Sequence, residues 1–322
     1  MKFTPLKFLI PLAAGGIALM AFNYLQFAVP HGKGLVRLSD IAWSELAPAQ
    51  IGLYLPLIAV MLVFSVISLG CTAVYLKQLG QWLTDRTEYR QFINAPPTKS
   101  IGIFVPVGSL SMTANVVLAP LAFFVPQLSS NLQALMLPGL IFFGILWLAL
   151  FRLEFRSLKS WLSRPLDSTR LNFVWLGDVF AFGLVSLTGT GIAALCESRE
   201  IASLAAFASL FTLSFGFLLL IAKLAYLVYL QTKADKLPDK PILPAYFILI
   251  PITCLFGFSF YRIMVYLQTY FSFDMRLLSF FVITFSYVCT ISWGIFCLYL
   301  LNNYFKEDFL KSDFSPTQWG IV

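Results

Sequence analysis

Residues 51–76 read IGLYLPLIAVMLVFSVISLGCTAVYL, an unbroken run without one charged side chain. A membrane-crossing helix needs roughly 20 mostly apolar residues, because it must span about 30 Å at 1.5 Å per residue while satisfying its own backbone. This run meets that requirement. Seven further stretches also meet it, at approximately 3–29, 101–125, 132–153, 171–195, 201–230, 242–267 and 278–304. Turn and charge signals separate them, such as Asn94-Ala95-Pro96-Pro97 and Lys236-Leu237-Pro238-Asp239-Lys240.

Composition agrees with the spans. Of 322 residues, 59% are hydrophobic and 11% charged, against roughly 45–50% and 25% in soluble domains. These values exclude a soluble globular protein, a disordered tail and a nucleic-acid binder, although the pI is about 9.1. The expected fold is all-α: a single polytopic domain over residues 1–322, with eight transmembrane helices. Lys2 and Lys7 precede the first span, but its apolar run is too long for the core of a signal peptide.

The net charge of +7 follows from sidedness. Lys and Arg concentrate in cytoplasmic loops. With the N-terminus inside, the cytoplasmic segments hold 16 basic residues, among them Lys77, Arg86, Arg90, Arg152, Arg156, Lys159, Lys233 and Lys236. The outer segments hold four, Lys33, Arg37, Arg199 and Arg276. Both termini are therefore expected in the cytoplasm of a cell (inner) membrane, with the lipid bilayer as the first partner. Acidic residues divide as nine cytoplasmic, five outer and one within the membrane. In the outer segment 30–50, apolar residues recur near helical spacing from Leu35 to Leu46, and Trp43 suits the headgroup layer. An interfacial helix is expected there.

Helices one, three, five and seven each start inside and return through a partner. This gives four hairpins of similar length, at about 3–76, 101–153, 171–230 and 242–304. Three of the four starting helices carry a proline at nearly the same depth, Pro11, Pro106 and Pro251, whereas the fifth has Leu176-Gly177-Asp178 there. Proline removes a helix hydrogen bond and crowds the preceding turn, so kinked helices are expected. Content of Gly, Ser, Thr and Asn is nearly equal in the odd and even helices and does not divide inner from outer ones.

Three segments resemble a known family. Phe8-Leu9-Ile10-Pro11-Leu12-Ala13-Ala14-Gly15, Phe180-Ala181-Phe182-Gly183-Leu184-Val185-Ser186 and Ile250-Pro251-Ile252-Thr253 look like segments of the tellurite-resistance/dicarboxylate transporter family. That family includes the bacterial tellurite-resistance channel homologue and the slow-type anion channels. The resemblance implies hairpins around a central pore, lined by proline-kinked inner helices and plugged by a phenylalanine. Phe182 would be that plug, with Gly183 and Ser186 beside it. The family has ten helices in five hairpins and its plug in the last one. This chain has eight in four, with the Phe-Gly-Leu segment in the third.

Ionisable groups inside hydrocarbon cost about 2.5–3.5 kcal/mol on insertion scales, so they face partners or water. Asp178 and Lys223 lie at similar distances from the cytoplasmic ends of neighbouring antiparallel helices and can pair. Arg262 lies toward the outer end of helix seven, beside Tyr261 and Tyr266, where it can reach the interface or face an external vestibule. Catalytic signatures are missing: His31 is the one histidine, the five cysteines are scattered, and no Walker, GxSxG, HExxH or EF-hand pattern occurs. No enzyme activity, cofactor or metal is expected. The expected function is transport of small anions, as a gated channel or a proton-coupled carrier, with dicarboxylates among the substrates considered. The alternative is a non-transporting scaffold, sensor or effector built from the same hairpins. Both leave room for a homo-oligomer.

Overall fold

The computed structural model describes residues 3–32, 34–163, 171–311 and 314–321. Lys2, Lys33, Arg164 and Arg170, four of the basic residues counted above, lie outside them. The described chain is helical and has eight helices long and apolar enough to cross a membrane. We number the α-helix within each span α1 (Leu9–Ala28), α2 (Pro48–Thr84), α3 (Phe104–Val116, within the span Pro97–Phe124), α4 (Met136–Ser163), α5 (Gly177–Leu195), α6 (Arg199–Thr232), α7 (Leu249–Phe271) and α8 (Arg276–Leu300).

Burial divides them where composition did not. More than half of the apolar window is buried in α1, α3, α5 and α7, rising to 83% in α5; α2, α4 and α6 stay below two fifths, and α8 reaches only 6%. The inner helices pack in chain order, α1 on α3, α3 on α5 and α5 on α7, and α5 also meets α4 and α6. Between helices in lipid there is no hydrophobic drive, so close approach of backbones must supply the dispersion energy. Gly189 of α5 shows how: a Cβ there would collide with Ser209 Oγ of α6 and lie 2.6 Å from the Phe143 ring of α4. The small residues of α5 let its neighbours close around it.

All four inner helices begin in the same way, with a 3-10 turn that runs straight into the α-helix: Pro5–Phe8, Ile101–Ile103, Phe173–Leu176 and Lys240–Ile248. Pro11, Pro106 and Pro251 are each the third residue of their α-helix. The carbonyl that each ring would crowd, four residues earlier, belongs to the 3-10 turn, where the chain is wound differently. These prolines therefore mark a tight entry turn rather than the expected kink within the helix. In α5 the equivalent residue is Val179, and its N–H donates to Asp178 Oδ1 at 2.7 Å. A side-chain acceptor thus takes the amide that proline would have removed. The strongest irregularity lies elsewhere: after α3 the chain widens into a π-turn at Val117–Leu121 around Pro120, a usual cause of a bend.

Two other expectations need correction. The even helices outrun their apolar cores, since α2 continues to Thr84 and α4 to Ser163. Hydropathy marks the lipid-facing length, and helices extend past it with polar turns. The described residues of 30–47 form no continuous interfacial helix, and α2 already begins at Pro48. They contain two single 3-10 turns, Leu38–Asp40 and Trp43–Glu45. Val36 and Ile41 hold the segment down by burying against the cluster that contains Phe22, Leu25 and Tyr54. His31 belongs to this segment, bonded to Gln26 and the Val29 carbonyl.

Candidate functional site

The entry end of the bundle, where the four 3-10 turns lie, holds the principal buried charges. Asp178 is the second residue of α5, where a carboxylate suits the helix N-terminus. Lys223 comes from α6, nine residues before its end, about 13 Å along the axis. Both are buried, and they form the expected ion pair, Lys223 Nζ donating to Asp178 Oδ2. A second Lys223 hydrogen goes to the Trp175 carbonyl at 3.0 Å. The ammonium also lies 4.2 Å from the ring centre of Trp161 and 4.6 Å from that of Trp175. Such cation–π contacts strengthen when desolvated.

A third charged residue completes the cluster, and sequence reasoning missed it. Glu154 of α4 is wholly buried, and its carboxyl lies in the electrostatic field of both Asp178 and Lys223. Neither carboxylate oxygen has a hydrogen-bond partner among the described residues. The Trp175 Nε1–H, buried in the same cluster, also lacks an acceptor. Glu154 was counted with the cytoplasmic charges because hydropathy ends the fourth span at residue 153. The missed signal was helical spacing, since Phe143, Leu146, Leu150, Phe151 and Glu154 all lie on the buried face of α4. With Glu154 included, the spans hold two acidic residues against Lys223 and Arg262, so the expected excess of buried positive charge disappears.

Trp161 is shared between this cluster and the surface. It covers Lys223 on one side and lines a cavity of about 510 Å³ on the other. The cavity lies between the end of α4 and segment 93–103, and Arg156, Lys159, Asn94, Ser157 and Ser160 contribute to its wall. No acidic side chain lines it among the described residues. Anions are attracted to a recess of this kind.

The other predicted residues fall in different surroundings. Phe182 is fully buried where α5 meets α4 and α6, with its ring against Phe151 at 5.3 Å and Phe215 at 5.5 Å. It also packs on Gly216. Gly183 faces α7, where a Cβ would lie 3.1 Å from Leu255. Ser186 is buried with its hydroxyl unpartnered. Arg262 turns toward α5. It sits nine residues inside the end of α7, about 13 Å, donates to the Leu187 carbonyl of α5 at 2.9 Å and lies over the Phe258 ring. Among the described residues it has no ion-pair partner.

A second polar region, the seam between α3 and α5, is bonded through Ser111, Asn115 and Thr188. Ser111 Oγ donates to the Leu184 carbonyl at 2.7 Å or shares a proton with Thr188 at 2.6 Å, and Asn115 Nδ2 donates to Thr188 Oγ1 at 2.7 Å. Asn115 also reaches the Ser111 carbonyl. Ser111, Asn115 and Thr188 thus join helix to helix.

No protein-family model matches the chain, and no curated protein or solved structure matches it significantly.

Proposed function

We propose that this protein is a carrier for small anions, coupled to protons, with its entry end in the cytoplasm. The observation that carries the reading is the cluster of Glu154, Asp178 and Lys223, sealed by Trp161 at the base of a basic cavity. Ionisable groups held inside a membrane domain at several kcal/mol of cost mark substrate or proton pathways by default. The cavity supplies the anion preference, through Arg156 and Lys159 at its wall. Arg262 supplies a second cation further along α7, toward the other end of the bundle. Close packing along α5 favours a carrier that opens to one side at a time over a standing pore.

The four matched entry turns support reading the chain as four repeats of one hairpin, in keeping with the resemblance to the tellurite-resistance/dicarboxylate transporter family. A row of four inner helices does not reproduce a five-hairpin ring, and this too favours a carrier. In this reading Phe182 seals the contact between α5 and its outer neighbours.

The test is flux in proteoliposomes, with chloride, nitrate and succinate supplied in turn under a pH gradient of either sense. The proposal expects protein-dependent movement of at least one anion, faster with the gradient, and reduced at least tenfold in folded Lys223→Gln. Flux equal to protein-free vesicles for all three anions in both directions overturns it. The bonded seam and the dense packing of α5 favour a second reading, a non-transporting membrane scaffold. That reading requires the second result.

A further inference from the structure

We propose that Glu154 is the proton-binding residue of this protein, a buried carboxyl that holds a proton against Asp178 and exchanges it with the cavity beyond Trp161. The inference deepens the carrier reading by naming the group that couples to protons.

The geometry supplies the argument. Glu154 projects from α4, which packs against α3, α5 and α6. From α5 the facing charge is Asp178, from α6 it is Lys223, and α3 carries no ionisable residue in Phe104–Val116. On α4 itself, Arg152 and Arg156 flank Glu154 in sequence, and Arg156 lies over Tyr89 and the cavity. Among the described residues the cluster thus holds two carboxyls and one ammonium.

Two ionised carboxylates are both acceptors and cannot bond each other. Two carboxyls buried in one cluster with a single ammonium favour holding one proton, since like charges out of water disfavour each other's ionisation. Lys223 is committed to Asp178 and the Trp175 carbonyl, which leaves Glu154 as the carboxyl without a donor. A proton on Glu154 turns it into a donor toward Asp178 and brings the net charge of the cluster to zero. Releasing the proton leaves one uncompensated negative charge, which a move of Lys223 or opening toward the cavity would relieve. Protonation and conformation are therefore linked through Lys223. Trp161, touching both the ammonium and the cavity, is the side chain that such a move displaces.

The experiment is infrared difference spectroscopy of the purified full chain in liposomes, with pH as the only variable. Wild type should show the carbonyl stretch of a buried protonated carboxyl that disappears as pH rises. Glutamate labelled with carbon-13 should shift that band, and Glu154→Gln, which keeps shape and neutrality, should abolish it. In flux, the acceleration by a pH gradient should fall at least tenfold in Glu154→Gln. A band that shifts with labelled aspartate instead, that survives Glu154→Gln, or that is missing at every pH overturns the proposal. The isotope result needs no variant, so misfolding of Glu154→Gln does not hide the answer. Wild type that shows the band but moves no anion would refute the carrier reading and leave the proton site standing.

Discussion

The polar seam between α3 and α5 and the charged cluster between α4, α5 and α6 are both buried, and both were assembled from residues that cost energy to place in a membrane. They differ in whether that cost is met locally. In the seam, Ser111, Asn115 and Thr188 satisfy one another and a backbone carbonyl. In the cluster, Asp178 and Lys223 are satisfied while Glu154 and Trp175 Nε1 are not. A bonded network rigidifies the fold, and an unbonded buried group is a place where a ligand, proton or movement supplies what is missing. In the proposed carrier the seam is structural and the cluster is the working part.

The sharpest way to break this comparison is to remove the one cation of the cluster. Lys223→Ala leaves two carboxyls facing each other without compensation and should cost about 3–5 kcal/mol, read as loss of monodisperse helical protein on heating. Asp178→Ala should be milder, because Glu154 is within reach of the orphaned ammonium. Equal damage from the two would argue that Glu154 does not belong to the cluster.

Phe182→Ala comes next, at about 3 kcal/mol, as for other buried phenylalanine truncations. Because Phe182 fills a contact among α4, α5 and α6, thermal stability should fall with no rise in anion flux. A marked rise in flux in folded protein would restore the plug role that the family resemblance implies.

Thr188→Val should cost about 1–3 kcal/mol by removing the hydroxyl that Ser111 and Asn115 share. The dependence of flux on pH should be unchanged, and a shifted pH profile would move function into the seam.

The smallest effect belongs to the surface. Hydrogen bonds from Arg276 hold Asp274 at about 2, below its unfolded value near 4. Its contribution is therefore present above pH ~4 and lost as pH falls toward 2. The pair is exposed, so Asp274→Asn should leave thermal stability between pH 5 and 8 unchanged. A clear drop there would mean that this loop is packed against something else.

Spans were legible in the sequence because hydropathy and length are enough to place a membrane helix, as in residues 51–76. The Asp178–Lys223 pair was legible too, from equal distance to the helix ends. Inner and outer helices were not separable, since Gly, Ser and Thr serve contacts in both sets and only three-dimensional burial distinguishes α5 from α8. Pro11, Pro106 and Pro251 were seen as a pattern but assigned a kink. One chain position cannot tell a mid-helix proline from one at a 3-10 junction. Glu154 was hidden by its neighbours, because Arg152 and Arg156 make the end of α4 look like a loop to any window average. Its spacing from Phe143, Leu146 and Leu150 carried the information that the average discarded.

The most direct test of the central claim, that the cluster and not the seam lies on the transport path, is accessibility to a membrane-impermeant thiol reagent. Single cysteines at Ser157, Glu154 and Thr188 would be placed in protein freed of its five native cysteines. The account predicts fast labelling at Ser157→Cys on the cavity wall, slower labelling at Glu154→Cys that quickens under a pH gradient, and none at Thr188→Cys. Labelling at Thr188→Cys with none at Glu154→Cys under any gradient would contradict it.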